Sequence, residues 1–292
     1  MKVIVLGSGT SHGIPVVGCS CTVCSSDDPR DKRMRSSLYI EGQGGERVLI
    51  DAGPEFRLQA LRAGIRGLDA IFLTHSHADH LHGLDDVRSL SREKPIPVYG
   101  NTKTIEELKD RFSYIFGKAR GTGQKGGGKP KISPHAVNGK VSIGGLVFTP
   151  VPVKHGVLDI FGWEVEELSP LDQAGPRKSF LYLTDTSAIP PSSRDLLRLA
   201  DADSRRSIII GGLRIRPHET HFNFEDALNA ALDLGAKEIY LTHICHAHSH
   251  AEIEDFCRQF MENKRDFIQQ TYSLNIDEIE VHPAWDEQQI IL

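Results

Sequence analysis

The sequence lacks any long apolar run, and nowhere does it approach the roughly 18–20 consecutive apolar residues that a membrane-spanning helix needs. It also lacks an excess of positive charge. The net charge of −5 argues against a general attraction to nucleic acid or to anionic membranes. The opening stretch MKVIVLG has one lysine and a short apolar run that ends at a glycine, which predicts a first strand and not a secretory signal. We therefore expect a cytoplasmic protein. A reducing compartment argues against stable disulfide bonds.

The composition is that of a soluble globular protein, because 39% of the residues are hydrophobic and 25% are charged. The 292 residues are enough for a substantial core, and no internal repeat or linker divides them. We therefore predict a single domain over residues 1–292. Residues 117–133, GKARGTGQKGGGKPKIS, hold five basic residues and no acidic one, and they predict a loop rich in Gly and Lys.

Apolar runs bounded by Gly, Pro and polar residues predict strands. These runs cover 2–7, 36–42, 47–53, 68–75, 96–100, 140–153, 161–167, 178–184, 206–212, 238–243 and 277–281. Helical spacing of apolar residues predicts helices at 54–64, 102–116, 223–235 and 249–264, and a further helix from about residue 78. Strands begin each half and alternate with helices later, so we predict an α/β fold of two sheets covered by helices.

A cluster of histidines follows the predicted strand at 68–75. In LTHSHADH, His75 and His77 are two positions apart, and side chains two apart in extended backbone point to the same face. Asp79 and His80 follow in the next turn of chain. A solvated polar loop is the ordinary explanation, but three imidazoles and a carboxylate within six residues favour a metal site. Such ligands suit Zn(II), Mn(II) or Fe(II).

Three further donor residues each end an apolar strand: His155, Asp185 and His243. The ends of strands are where α/β proteins gather active-site residues. Any one of them alone would be an ordinary polar residue at a strand end. Four ligands on one loop cannot complete the shells of two metal ions, so ligands from other strand ends are expected, and these three complete the predicted site.

The motif HSHADH, followed by an isolated His, an isolated Asp and a last His, resembles the metallo-β-lactamase superfamily of dinuclear hydrolases. The resemblance covers nearly the whole chain and implies a four-layer αββα sandwich, with two mixed sheets flanked by helices. It also implies the ligands of the two ions, namely His75, His77 and His155 for one, Asp79, His80 and His243 for the other, and Asp185 as a bridge. Asp51 would be the carboxylate that orients the histidine loop, and an ordinary turn former is an equal alternative.

Three of the five cysteines, Cys19, Cys21 and Cys24, lie within six positions of one loop. A disulfide, a redox pair and a metal site are the candidate explanations, and a reducing compartment disfavours the first two. Near the other end of the chain, HICHAHSH places His246 three residues after His243. Three thiolates and one imidazole would make a closed, tetrahedral zinc site of the structural type.

A branch of the superfamily, the phosphoribosyl 1,2-cyclic phosphate phosphodiesterases, resembles this pattern closely. Its members carry a Cys-x-Cys-x-x-Cys loop after the first strand and take a fourth zinc ligand from the last His-x-x-His. The resemblance implies a structural zinc bound by Cys19, Cys21, Cys24 and His246. Cys245 and Cys257 are predicted to be packing residues, with Cys245, beside His246, as a competing donor for the zinc. His248 and His250 stay open as alternative donors, and solvated side chains are the ordinary explanation of both.

The same branch has a pocket histidine upstream of a helix, and RPHETHFNFEDAL offers two candidates. We choose His221 as the residue that donates a proton to the leaving oxygen or contacts the phosphate, and His218 is the alternative. A polar residue ahead of a helix N-terminus is the ordinary explanation of either. With Asp79 and Asp185, His221 makes up the predicted catalytic set.

The resemblance implies a phosphodiesterase that hydrolyses a small cyclic phosphodiester of the 5-phosphoribosyl 1,2-cyclic phosphate type, by means of a hydroxide shared between two active-site ions, Zn or Mn. The alternatives are a tRNA 3′-processing-type nuclease, a lactone or thioester hydrolase of the same superfamily, and a non-catalytic nucleotide-binding protein. The net charge and the cysteine loop argue against the nuclease, so we expect a small anionic substrate and no nucleic acid. The sequence leaves a homodimer open. The basic residues of 117–133 could cradle a phosphate, but we expect them to be solvated: Lys118, Arg120, Lys125, Lys129 and Lys131.

Overall fold

The computed structural model describes residues 1–117, 128–168, 178–198, 206–272 and 274–292. The strands of these residues, in chain order, are β1 (Lys2–Gly7), β2 (Ser37–Glu41), β3 (Arg47–Ile50), β4 (Ala70–Phe72), β5 (Ile96–Gly100), β6 (Ile132–Ala136), β7 (Val141–Ile143), β8 (Leu146–His155), β9 (Leu158–Glu167), β10 (Lys178–Leu183), β11 (Arg206–Gly211), β12 (Ala236–Thr242), β13 (Glu280–Pro283) and β14 (Gln289–Ile291). The helices are α1 (Phe56–Arg62), α2 (Ala78–Leu81), α3 (Thr102–Arg111), α4 (Ser113–Phe116), α5 (Pro191–Arg198), α6 (Phe224–Asp233), α7 (His250–Asn263) and α8 (Arg265–Tyr272). Short 3-10 turns lie at Pro29–Asp31, Leu84–Ser89 and Ile276–Glu278.

The described strands form two seven-stranded sheets, with the orders β14-β1-β2-β3-β4-β5-β6 and β13-β12-β11-β10-β9-β8-β7. Both sheets are mixed. In the first, β3 to β6 run parallel and the strands before them antiparallel. In the second, β10 to β13 run parallel and β7 to β10 antiparallel. Parallel strands end at the same edge of a sheet, so the residues that follow them are brought together there.

Three apolar layers fill the sandwich. Between the sheets, Val3 and Val5 of β1 pack in one cluster with Trp163 of the second sheet. The alternate residues Ile4 and Leu6 pack on the outer face of the first sheet, in the cluster that α1 and α3 cover. Both faces of β1 are therefore buried, which explains why its sequence reads as a continuous apolar run. The outer face of the second sheet packs against α6 and α7, and the predicted αββα architecture is confirmed.

Two predicted elements are wrong in detail. The helix predicted at 102–116 breaks at Phe112, whose φ of −104° and ψ of 38° leave the helical region, so α3 and α4 are separate. The loop predicted at 117–133 ends early, because β6 begins at Ile132, which is buried and pairs with Ile96. Residues 118–127 of that loop lie outside the described residues, and so do the basic side chains Lys118, Arg120 and Lys125.

Helices α5 and α8 were not predicted from the sequence. Among the helices of the described residues, none combines the length and the apolar character needed to cross a bilayer. The organisation of the chain as a single domain stays a prediction.

His250, in the first turn of α7, is a buried histidine with no hydrogen-bond partner on either ring nitrogen in the described part of the chain. Its ring packs edge-on against Trp285 at 5.6 Å. Burial lowers the pKa of His250 to about 4; the guanidinium of Arg30 adds to the effect, and the carboxylate of Glu254 opposes it. The folded protein therefore holds this ring neutral.

Acidification should destabilise the protein through His250. Its folded pKa of about 4 lies below the ordinary value of 6.5, so stability is lost as the pH falls from about 6.5 towards 4. Replacing His250→Phe should remove up to about 3 kcal/mol of the stability change across this range, as measured by urea unfolding at several pH values. The exposed histidine variant His135→Gln is the control. Equal pH slopes for wild type and His250→Phe would contradict the prediction.

Candidate metal centres

The donor residues predicted from the sequence converge at one edge of the sandwich. Their ligand atoms form groups in which all atoms lie within 4.8 Å of one another. Two of these groups contain the seven residues predicted for the dinuclear site: His75, His77 and His155 in one, and Asp79, His80, Asp185 and His243 in the other. A third group, His155, Asp185 and His221, overlaps both.

The residues before the cluster leave strand geometry earlier than the sequence indicated. β4 ends at Phe72, so His75 lies in the loop beyond the strand. His77 keeps an extended backbone (φ −61°, ψ 154°) as the residue that precedes α2, and Asp79 and His80 lie within that helix. His77 and His80 therefore belong to different donor groups. His77 lies with His75 and His155, and His80 lies with Asp79, Asp185 and His243.

Backbone strain marks three residues of this edge. Of the four non-glycine residues with positive φ in the described chain, three are Asp51 (61°), Asp185 (52°) and His243 (56°). This left-handed region is unfavourable for residues with a Cβ, and it persists only where the surroundings hold it. Each of the three follows a buried strand that fixes the backbone before it. Such strain is common at functional sites.

The ring of His80 is oriented by Asp51. His80 Nδ1 donates to Asp51 Oδ2 at 2.8 Å, and both side chains are completely buried. Asp51 is itself held by the amide and the hydroxyl of Thr74, each at 2.8 Å. Asp51 therefore lies in the turn after β3 and also orients the histidine loop. The two alternatives considered from the sequence, turn former and orienting carboxylate, are compatible.

Three other rings are held in the same way. His155 Nδ1 donates to the carbonyl of Thr220 at 2.8 Å. His75 Nδ1 lies 3.0 Å from the hydroxyl of Thr74, and His243 Nε2 lies 3.0 Å from the hydroxyl of Thr10. The opposite nitrogen of His243, Nδ1, lies 3.1 Å from Asp185 Oδ2 and 3.3 Å from the hydroxyl of Ser36. Thr10 and Thr220 could not be identified from the sequence, because neither stands next to the histidine that it holds.

The donor groups fit divalent cations. His75 Nε2 is buried and has no hydrogen-bond partner in the described chain, and such an atom requires an explanation. His80 Nε2 lies 3.1 Å from Asp79 Oδ2 and 3.2 Å from Asp185 Oδ2. Burial lowers the pKa of His75 well below its ordinary value, which keeps the ring neutral, the form that binds a metal. Burial opposes ionisation of Asp185, but the neighbouring His243 and His80 hold the pKa of that carboxyl well below its usual range. Burial opposes protonation of His80, but the carboxylates of Asp79, Asp185 and Asp51 raise the pKa of that ring well above its ordinary value. Imidazole and carboxylate ligands together suit Zn(II), Mn(II) or Fe(II).

A second cluster brings together Cys19, Cys21, Cys24 and His246. The three Sγ atoms lie 3.4, 3.4 and 3.5 Å from His246 Nδ1. A tetrahedral zinc ion with bonds of about 2.3 Å to sulfur and 2.0–2.1 Å to nitrogen separates its S and N ligands by about 3.5 Å. The backbone amide of Cys24, together with His246, lowers the pKa of Cys21 to about 6, which favours the thiolate. The cluster fits a closed zinc site.

The other donors left open in this stretch lie outside the cluster. The carbonyls of Cys245 and His248 accept hydrogen bonds from Arg33, at 2.9 and 3.3 Å. His250 is buried at the start of α7. Arg33 itself is fully buried and paired with Asp31 at 3.0 Å. This role could not be predicted, because Arg33 lies in the charged stretch PRDKRMR.

The two candidate acid residues lie at different depths. His221 is mostly buried, and its Nε2 lies 3.2 Å from Asp185 Oδ1. Its ring stacks on that of His243 with centroids 5.0 Å apart. His218 is exposed and stands behind His221, with the two Nδ1 atoms 3.2 Å apart. Of the two, only His221 belongs to a donor group of the described residues.

Comparison with known proteins adds four findings. A family model described as the β-lactamase superfamily domain matches residues 46–244. An octanoyltransferase of Porphyromonas gingivalis is 37% identical over 247 residues, which are 84% of this chain and 46% of the relative. The chain thus spans about half the length of that curated protein.

Two solved structures share the fold over the whole chain. One, described as a new diphosphatase from the PhnP family, has a TM-score of 0.77 and 37% identity, and the match covers 100% of this chain and 97% of that one. The other, Zn²⁺-bound PqqB from Methylobacterium extorquens, has a TM-score of 0.71 and 18% identity, and the match covers 100% of both chains. The second likeness shows the fold alone.

The cysteine cluster should contribute to stability through a bound zinc ion. Cys21→Ser should lose one equivalent of zinc and lower the free energy of unfolding by about 3 kcal/mol or more, because metal binding adds to folding energy. Elemental analysis and chemical denaturation measure the two effects. Cys245→Ser, in the same stretch but outside the cluster, is the control and should keep the zinc. Unchanged zinc content in Cys21→Ser would overturn the prediction.

Proposed function

The chain belongs to the metallo-β-lactamase superfamily, and on that premise we propose that it is a metal-dependent phosphodiesterase that hydrolyses a small cyclic phosphodiester of the 5-phosphoribosyl 1,2-cyclic phosphate type. The observation that carries the proposal is the position of Asp185. Its Oδ2 lies 3.2 Å from His80 and 3.1 Å from His243, while its Oδ1 faces His155 at 4.0 Å and His221 at 3.2 Å. A carboxylate that presents one oxygen to each donor group suits a pair of cations, an arrangement common in phosphoryl-transfer enzymes.

In this proposal each donor group binds one divalent ion, Zn or Mn. His75, His77 and His155 hold the first, Asp79, His80 and His243 hold the second, and Asp185 lies between them. When bound, such a pair lowers the pKa of a water molecule and stabilises the negative charge that develops on a phosphoryl group. The four oriented rings keep the donors in place, so little reorganisation is needed during the reaction. The cysteine cluster takes a third, structural zinc ion.

His221 is the proposed proton donor to the leaving oxygen. Its Nε2 points at the edge of the bridging carboxylate, where the scissile phosphodiester would lie. Its other nitrogen is held by the hydroxyl of Thr220 at 2.9 Å and approached by His218. An imidazole exchanges protons near neutral pH and can therefore serve as a general acid.

The PhnP-family diphosphatase supports a phosphoryl substrate, because it is 37% identical over the whole of this chain. A second candidate, a thioester hydrolase, is favoured by the equal identity to an octanoyltransferase, which handles an acyl group. Since this chain spans only 46% of that relative, the transferase activity can reside in the remaining part. Phosphodiester hydrolysis is therefore the better supported function.

Turnover of two substrates separates these functions. The metal-loaded protein should hydrolyse bis-p-nitrophenyl phosphate and should leave an octanoyl thioester intact. Asp185→Asn should lower kcat/KM for the diester by about 10³-fold, because it removes a charged group at the reacting centre, while the zinc of the cysteine cluster remains.

Asp195→Asn, on the exposed face of α5, is the matched control and should keep full activity. Thioester turnover without diester turnover would replace the proposal with the second candidate. Full diesterase activity in Asp185→Asn would refute the bridging role.

His221→Ala should slow the hydrolysis of substrates with poor leaving groups most. For an alkoxide leaving group, as in a ribose 2′,3′-cyclic phosphate, we expect a loss of about 10²-fold in kcat. For p-nitrophenolate, which leaves without protonation, the loss should be several-fold smaller. His218→Ala should affect both substrates less. An equal loss on both substrates in His221→Ala would remove the proton-donor role.

A further inference from the structure

His77 has the least support of the three rings in the first donor group. His75 and His155 each have a ring nitrogen bonded to a neighbouring residue, whereas no residue of the described chain makes a hydrogen bond with the ring of His77. That ring is partly exposed, and its centroid lies 4.5 Å from that of His75 and 5.2 Å from that of His155. The position of His77 therefore depends on the backbone that carries it.

The backbone before His77 is anchored through the side chain of Ser76. Among the described residues, His75 and Ser76 make no backbone hydrogen bond of their own. Ser76 is buried, and its hydroxyl donates to Oε2 of Glu107 on α3. This hydrogen bond attaches the loop to the helix at the position between the two ligands.

Glu107 accepts this hydrogen bond as an ionised carboxylate. The hydroxyl of Ser76 lowers the pKa of the Glu107 carboxyl most, burial opposes the effect, and the charges of Arg111 and Lys103 add to it. Arg111, one turn further along α3, donates to the same oxygen at 3.3 Å. A carboxylate has no proton to donate, so the proton of the Ser76 hydroxyl points at Glu107 and the direction of the bond is fixed.

Helix α3 gives Glu107 a fixed position. Its neighbours Ile105 and Leu108 are buried in the cluster on the outer face of the first sheet. Asn101 caps the helix by accepting from the amide of Thr104 at 2.7 Å. The same sheet contains β4, whose end leads into the histidine loop. Helix and loop therefore rest on one support, and the hydrogen bond joins them above it.

We infer that Glu107 is a positioning residue for the first metal ion, because through Ser76 it holds the loop that presents His77. It does for the first donor group what Asp51 does for His80 in the second, but by way of a hydroxyl and the backbone. The inference rests on the metal pair of the proposed function, and it assigns a role to a residue that neither donor group contains.

Zinc titration in competition with a chelator tests the inference. Glu107→Ala should weaken the ion of the first donor group by about tenfold or more, the usual cost of removing a residue that orients a ligand. The second ion and the cysteine-bound zinc should be unaffected. Glu107→Gln keeps an oxygen for the Ser76 hydroxyl and should recover most of the affinity. Glu106→Ala, an exposed neighbour on the same helix, is the matched control and should bind all three ions as the wild type does.

Two reference variants identify the ion that is weakened. His77→Ala removes a ligand of the first group and Asp79→Asn one of the second, so the titration step lost in Glu107→Ala should be the step lost in His77→Ala. Ser76→Ala should reproduce the effect of Glu107→Ala. The double variant should show no further loss, because both substitutions remove one and the same hydrogen bond.

The outcomes separate the inference from the proposed function. If the variants lose the first ion selectively but the wild type hydrolyses no diester, the function fails and the positioning role stands. If diesters are hydrolysed but Glu107→Ala binds zinc as Glu106→Ala does, the positioning role is wrong and the function stands. Additive losses in the double variant, or an equal weakening of all three ions, would also overturn the positioning role, since either result indicates a general loss of stability.

Discussion

The loop that follows β12 serves two donor groups only three residues apart. His243 belongs to the group with Asp79, His80 and Asp185, and His246 belongs to the group with the three cysteines, so one short loop carries a donor of each group. The loop is held on one side by hydrogen bonds between Ile244 and the segment ending at Thr10, at 3.0 and 3.1 Å. On the other side it is held by the buried guanidinium of Arg33, through the carbonyl of Cys245 at 2.9 Å. These hydrogen bonds on both sides of the loop hold the left-handed backbone conformation of His243.

The dinuclear group also joins the two sheets. Asp51 and the histidine loop follow strands of the first sheet, whereas His155, Asp185 and His243 follow strands of the second. Any cation held by both sets binds only the folded sandwich, since separation of the sheets would divide its ligands. Metal binding and closure of the sandwich would thus be thermodynamically linked, and ions bound by these donors would stabilise the native state by mass action.

The donors of both groups could be predicted from the sequence because they stand at strand ends or in dense local motifs. The residues that orient them could not. Thr10 bonds to His243, which lies 233 positions away in the sequence. His155 is held by the backbone carbonyl of Thr220, and because every residue has such a carbonyl, the residue type does not reveal the contact. From the sequence alone, Arg33 is one charged residue in a run that would be expected to be solvated, whereas the structure shows that its side chain is buried. Local irregularities such as the break at Phe112 likewise depend on tertiary packing that periodicity does not encode.

For the proposed phosphodiesterase, the charge distribution favours a small anionic substrate over a large one. The chain as a whole carries −5, which repels a polyanion that must lie along an extended surface. At the centre, two divalent cations would outweigh the carboxylates of Asp51, Asp79 and Asp185. The attraction would therefore be confined to a region of molecular size, where burial makes it strong. A small diester would meet only this region, whereas an RNA strand would meet the repulsive surface as well. The convergence of the donors would concentrate the positive charge in one small region, and this concentration favours the small substrate.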